Sequence, residues 1–231
     1  MAGISGPDNV EDGLIVILDA ANIKSYPGSG TTWHNLVGTN NATLTGSPSV
    51  SGGGMQFNGS SQYATIPQDT LTNFSVSVWY KTLGSGGRVF NLAWYSNGNT
   101  HWDWIVTDPY STTYVEGSWA YSRNNASRND MSCGNSAYSN GNWKNITLTI
   151  VGNTAQVYYD GVKGNSDTFS ISDLGAAGST SFTIGRGRNY MYNGGPWGYA
   201  NCSVPLVHMW NKTLTDNEAL QSYNSLKSRF V

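Results

Sequence analysis

NITLTIVGNTAQVYYDG, residues 145–161, alternates apolar and polar side chains on both sides of a Gly-Asn pair. Ile146, Leu148 and Ile150 share one face; beyond Gly152 and Asn153, Ala155, Val157 and Tyr159 do the same. A period of two marks a half-buried strand, and a Gly-Asn step between two such runs reads as a hairpin turn. Asp160-Gly161 then offers a second tight turn. The pattern recurs in NFSVSVWYK, residues 73–81, where Phe74, Val76, Val78 and Tyr80 share one face and Ser75, Ser77 and Trp79 the other. Shorter strand candidates are GLIVIL, MQFNG, QYATI, RVFNLAWY, WDWIV, SFTIGRG and PLVHMW. Turn signals separate them at sandwich-like intervals, and nothing alternates strand with long helix, which argues against a parallel α/β sheet.

Composition agrees. The 231 residues include 28 Gly, 25 Asn, 9 Trp and 14 Tyr, with only 11 % charged residues. Such a chain is poor in helix formers and rich in turn formers and strand-favouring aromatics. The length suits one large all-β domain. A formal net charge of −2 without like-charge runs argues against a nucleic-acid partner. No stretch approaches the roughly 18 apolar residues of a membrane span. The opening MAGISGPDNVEDG has neither a basic start nor an apolar core, so no signal peptide is expected. Cys133 and Cys202 lack metal-ligand spacing and read either as two separate buried thiols or as a disulfide between long loops. Seven Asn-x-Ser/Thr sequons follow mostly from the abundance of Asn and Ser.

One segment breaks the strand pattern. In TLTDNEALQSYNSLKSRF, Thr215 and Glu218 form a capping box, and Ala219, Leu220, Tyr223 and Leu226 follow at helical spacing. Lys227 and Arg229 fall where they favour the negative end of the dipole. The stretch LDAANIKSYPGSGTTWHNL, residues 18–36, reads as an architectural strap. Asp19 and Asn22 can bond nearby backbone, Pro27-Gly28 fits a type II turn, and Trp33 re-enters the core.

The order of these blocks, from the opening DAAN…SYPGSG…W to the closing WNKTLT…E…YNSLKSRF, resembles the concanavalin-A-like, laminin-G-like jelly-roll domain. It most resembles the version found in tail and appendage proteins of tailed bacteriophages. The resemblance implies an all-β, concanavalin-A-like jelly-roll sandwich of two antiparallel sheets, six or seven strands each, with one short C-terminal helix and the first strand beside the last. Residues 1–12 are expected to form a leading segment and 13–231 a single domain. The implied setting is a virion surface, assembled in the host cytoplasm, with other virion proteins and further copies of the chain as partners. Calcium is common in related domains; Asp19, Asn58 and Asp160 are loose candidates for it.

A glucanase on such a fold would carry two Glu bracketing an Asp on one strand, its acid and nucleophile about 5 Å apart. Only Glu116 and Glu218 follow the leading segment, and Glu218 belongs to the cap. Asp103, Asp108 and Glu116 have spacings that do not suit one strand face, and His34, His101 and His208 are dispersed. The reading is therefore of a non-enzymatic protein. Two aromatic stretches suit sugar binding, in which a ring stacks on the sugar and a carboxylate, amide or guanidinium bonds hydroxyls. One carries Trp102, Asp103, Trp104, Trp119 and Tyr121, with Trp119 and Tyr121 expected across from the two Trp. The other carries Arg186, Arg188, Tyr190, Tyr192 and Trp197. Alternating Trp residues can equally fill a core or a subunit contact. Adhesion to host-surface glycans is thus the first expectation, a purely architectural virion subunit the second, and a polysaccharide hydrolase or lyase the third.

Overall fold

The computed structural model describes residues 8–68, 71, 73–83, 87–96, 101–108, 118–122, 128–131, 141–152, 154–168, 177–188 and 196–231. Cys133, Glu116, Tyr190 and Tyr192 lie outside them. Among the described residues, two antiparallel sheets of eight strands each face one another. The first holds β1 (Leu14–Asp19), β4 (Ser49–Ser51), β5 (Gly54–Asn58), β7 (Phe74–Thr82), β12 (Lys144–Val151), β13 (Thr154–Tyr159), β14 (Val162–Thr168) and β18 (Asn201–Trp210), in the order β14-β13-β12-β7-β18-β5-β4, with β1 also on β18. The second runs β11 (Arg128–Met131), β10 (Ser118–Ser122), β9 (His101–Asp108), β8 (Gly87–Ser96), β15 (Ala177–Ile184), β6 (Tyr63–Gln68), β3 (Ala42–Thr45), β2 (Thr32–Trp33). β16 (Arg186–Arg188) and β17 (Pro196–Tyr199) make a small hairpin. The count exceeds the expected six or seven because two- and three-residue edge strands such as β2 and β4 are too short to show periodicity.

The alternation read from sequence sets the layers. Phe74, Val76, Val78, Tyr80, Ile146, Leu148, Ile150, Val157 and Tyr159 lie in the buried core between the sheets. β12 meets β13 with Leu148 opposite Val157, about the turn at Gly152. The first strand does pair with the last, Ile17 against His208. β18 is shared along its other edge, Asn201 to Val204 on β5 and Leu206 to Trp210 on β1. Pro205 sits at that change of partner, where its missing N–H interrupts no ladder bond. Cys202 is buried in β18.

On the other side of the first sheet, Trp79 is 1 % exposed, stacked on Tyr223 at 5.4 Å and tilted against Phe230 at 4.5 Å. Both rings belong to the C-terminal stretch, which forms α1 (Asp216–Leu226) and a 3-10 turn at Lys227–Arg229. The capping box is formed: the Thr215 N–H donates to Glu218 Oε2 at 2.8 Å, and the Glu218 N–H donates to Thr215 Oγ1. Arg229 does not serve the helix dipole as expected. α1 ends at Leu226, and the guanidinium grips Asp19 at 3.0 and 3.1 Å. That pair locks the strap, whose Asp19 and Asn22 side chains accept from the N–H groups of Ala21 and Lys24. Gly28 has φ +96°, as a type II turn requires, and Trp33 is fully buried. Residues 8–12 are stitched to the same region: Trp210 Nε1 donates to the Val10 carbonyl at 2.8 Å, and Lys212 pairs with Asp12 at 2.7 Å.

His208 is buried where these pieces meet, 3.5 Å from Asn9 Nδ2 and edge-on to Trp210. Burial pushes its pKa down from 6.5 to about 4; Asp19 opposes this and Arg229 adds to it. Between those two values the unfolded chain holds a proton that the folded chain does not. Stability is therefore complete above pH 6.5 and declines by about 3 kcal/mol as the pH falls to 4. Urea melts across that window should show the decline, and a His208→Gln variant should lack it. Thr215→Ala removes the cap and should lower stability by about 1 kcal/mol in the same assay at neutral pH.

Candidate functional site

The second sheet is ordered by its register. Ile66, Phe182, Leu92, Trp104 and Ala120 stand opposite one another across five strands. Ile66 and Phe182 are fully buried in the core, so this row belongs to the inner face. Trp102 is two positions from Trp104 on β9, opposite Trp94 on β8, and shares its parity. The neighbouring rows have the other parity. Thr65, Thr183, Asn91, Ile105, Trp119 and Asp130 form one. Pro67, Ser181, Ala93, Asp103, Tyr121 and Arg128 form the next. Strand residues alternate between faces, so these rows belong to the outer face.

The expected aromatic set is thereby divided. Trp102 and Trp104 are in register with Ser122 and Ala120, not with Trp119 and Tyr121. Asp103, Trp119 and Tyr121 share one parity, and the two Trp of β9 have the other, that of Ile66 and Phe182. Each strand's own alternation is legible in its residues but the offset between strands is not, and a shift of one residue reverses the grouping.

Toward the opposite edge of the sheet, the outer side carries a cluster with described side chains. The Arg186 guanidinium lies 3.7 Å above the Tyr63 ring, and Tyr199 lies 6.3 Å from Tyr63 and opposite Arg186 in the β16–β17 hairpin. All three residues are partly exposed. Gly185 makes the placement possible. It has φ +78°, and a Cβ there would come within 2.7 Å of the Phe57 ring. Beyond it the Arg186 carbonyl accepts from Thr183 Oγ1 at 2.8 Å, and the Ala200 N–H donates to the Gly185 carbonyl. Arg188 and Trp197 belong to the same hairpin, Arg188 opposite Pro196 and Trp197 opposite Gly187. Tyr63 was not anticipated: QYATI reads only as a strand, and its cation comes from 123 positions further along the chain. From β6 to β10 the outer face spans four strand steps, roughly 19 Å.

The calcium candidates do not form a cradle. Asp19 faces Arg229, and Asp160 holds the Lys144 ammonium at 2.9 Å and the Asn145 N–H at 2.9 Å. Asn58 Oδ1 accepts the N–H groups of Ser60, Ser61 and Gln62, an Asx-type turn. Each is committed to a local structural partner on a separate element. Among the described residues no three His, Cys, Asp or Glu side chains gather as metal ligands. Asp103 and Asp108 sit on the same strand with opposite parity, so they do not face one cleft together.

Comparisons place this geometry. Residues 58–219 match the model of the concanavalin A-like lectin/glucanases superfamily. Among curated proteins, none matches the chain. Among solved structures, sialidase from Trypanosoma rangeli in complex with sialic acid has a TM-score of 0.62 at 16 % identity, covering 93 % of this chain and 33 % of the sialidase. This chain thus spans about a third of the sialidase chains it matches. Domain 4 of AbnA, an extracellular arabinanase from Geobacillus stearothermophilus, in complex with arabinotriose, has a TM-score of 0.62 at 14 % identity, covering 91 % of this chain and 98 % of that domain. The binding domain of Paraclostridial Mosquitocidal Protein 1 has a TM-score of 0.60 at 13 % identity, covering 92 % of this chain and 52 % of that one. These identities establish shared fold alone, and the family description pairs lectins with glucanases, so it does not separate binding from catalysis. On the sequence match and the two eight-stranded sheets, the chain belongs to the concanavalin A-like lectin/glucanase superfamily.

Proposed function

We propose that this chain is a carbohydrate-binding module that works by adhesion and not by chemistry, through the outer face of its second sheet. The observation that carries the reading is the segregation of that sheet: Asp103, Trp119, Tyr121 and Arg128 share the outer parity, and Arg186 stacks on Tyr63 further along the same side. Rings with carboxylates and guanidinium groups beside them are what a sugar needs, an apolar platform with polar anchors at its rim. The similarity to an arabinanase domain in complex with arabinotriose supports the same reading. The paired opening and closing sequence blocks support a setting on the surface of a phage particle, as a tail, neck or capsid appendage that attaches to host glycans. Other virion proteins and further copies of the chain are the proposed partners.

A second reading, an architectural virion subunit, is favoured by Val162 and Leu220, 67 % and 42 % exposed, which flank Gly161 on the helix side of the first sheet. Apolar groups exposed together suit a subunit contact.

A glycan array followed by calorimetry on the best ligand separates these readings. Trp119→Ala and Tyr121→Ala should each weaken binding by about tenfold or more while leaving the melt unchanged. Trp104→Ala, at the opposite parity, should leave the affinity of the folded fraction intact. No signal on the array would sink the adhesion reading; release of new reducing ends from a bound polysaccharide would sink its non-enzymatic part.

A further inference from the structure

We infer that the Tyr63–Arg186–Tyr199 cluster selects anionic saccharides, taking the carboxylate of a uronic-acid-type sugar on the Arg186 guanidinium. The inference rests on the carbohydrate reading above and names the ligand class within it.

Three observations carry it. The first is the missing counter-charge. Lys144, Lys163, Lys212 and Arg229 are each neutralised by a carboxylate within 3.0 Å. Arg186 has no carboxylate among the described residues, and Tyr63 is what it packs on. The second is an unmade hydrogen bond. Arg186 Nε is buried and has no partner among the described residues. Buried donors in folded proteins are nearly always satisfied, so an orphaned guanidinium N–H calls for an acceptor. The third is placement. The Arg186 Cζ lies 3.7 Å from the centre of the Tyr63 ring, Gly185 sets the backbone that delivers it, and the residue remains partly open to solvent.

A guanidinium seated over a ring, without a carboxylate of its own, offers a planar fork that matches the two oxygens of a carboxylate. A neutral sugar hydroxyl fills one such donor and leaves the charge uncompensated. Tyr199 adds a second ring 6.3 Å from Tyr63, against which the sugar can pack while its carboxylate meets Arg186. Arg188, two positions on in the same strand, adds positive charge to the hairpin.

Polygalacturonate oligomers and their fully methyl-esterified counterparts differ only in the charged group and serve as the probe pair. The acid should bind at least about tenfold more tightly than the ester at low salt, with the advantage shrinking as ionic strength rises. Arg186→Gln should abolish that preference, so that acid and ester bind alike. Arg186→Lys keeps the charge but loses the planar fork, and should retain only part of the preference. It also serves as the readout where Arg186→Gln fails to fold. Equal binding of acid and ester, or binding of neutral oligosaccharides alone, overturns the anionic assignment and leaves the carbohydrate reading standing. A preference for the acid that survives Arg186→Gln, or is undiminished in Arg186→Lys, overturns the role of Arg186. Binding of no saccharide of either kind overturns the carbohydrate reading, and this inference with it.

Discussion

The pairing of β18 with β7 is the constraint that the rest of the molecule answers to. Trp210, Met209, Val207 and Leu206 line up against Ser75, Val76, Val78 and Trp79, and this register decides which residues enter the core and which meet the helix. Met209, Val207, Val76 and Val78 go inward. Trp79 goes outward under Tyr223 and Phe230, and Trp210 outward to the Val10 carbonyl. A slip of one residue between these two strands would exchange those sets, exposing the aliphatic row and driving Ser75 and Ser77 into the core. Their hydroxyls are satisfied only where they are. Ser75 Oγ donates to the Lys212 carbonyl and accepts the Leu214 N–H, and Ser77 Oγ accepts from Asn145 Nδ2.

The two sheets divide labour along this line. The outer side of the first is occupied by α1, the C-terminal turn and residues 8–12, tied down by the Arg229–Asp19 fork and by Lys212 between Asp12 and Glu218. The outer side of the second sheet carries Tyr63 and Arg186 partly open, with Thr43 and Thr45 exposed beside them. The proposed recognition surface therefore lies where the helix is not.

Most of the fold was legible because alternation is local. Phe74 to Tyr80 and Ile146 to Tyr159 could be assigned to a buried face from spacing alone, and the Thr215–Glu218 box announced its helix within four residues. The site was legible only in composition. Trp102, Trp104, Trp119 and Tyr121 stand out as aromatics, yet whether they share a face depends on how β9 and β10 are offset, and no residue within either strand encodes that offset. Tyr63 and Arg186 meet because β6 and β15 are neighbours, a fact of topology. Arg229 reads as a helix-end cation until Asp19, 210 positions earlier, is placed beside it. The calcium candidates read differently in the structure for a similar reason. An Asp or Asn in a turn-rich stretch looks available until its backbone partners are counted.

The position of β1 bears on how the chain is made. Within the described ladders β1 pairs with β18 alone, Asp19 opposite Leu206. On a ribosome adding about 5–20 residues per second, β1 waits roughly 10 to 40 s for its mate. Through that interval the Leu14–Asp19 segment is an apolar ribbon with an unpaired edge, at risk of pairing with a neighbouring nascent chain. The Asx turns at Asp19 and Asn22, which form from nearest neighbours alone, give this stretch local order before its long-range partner exists.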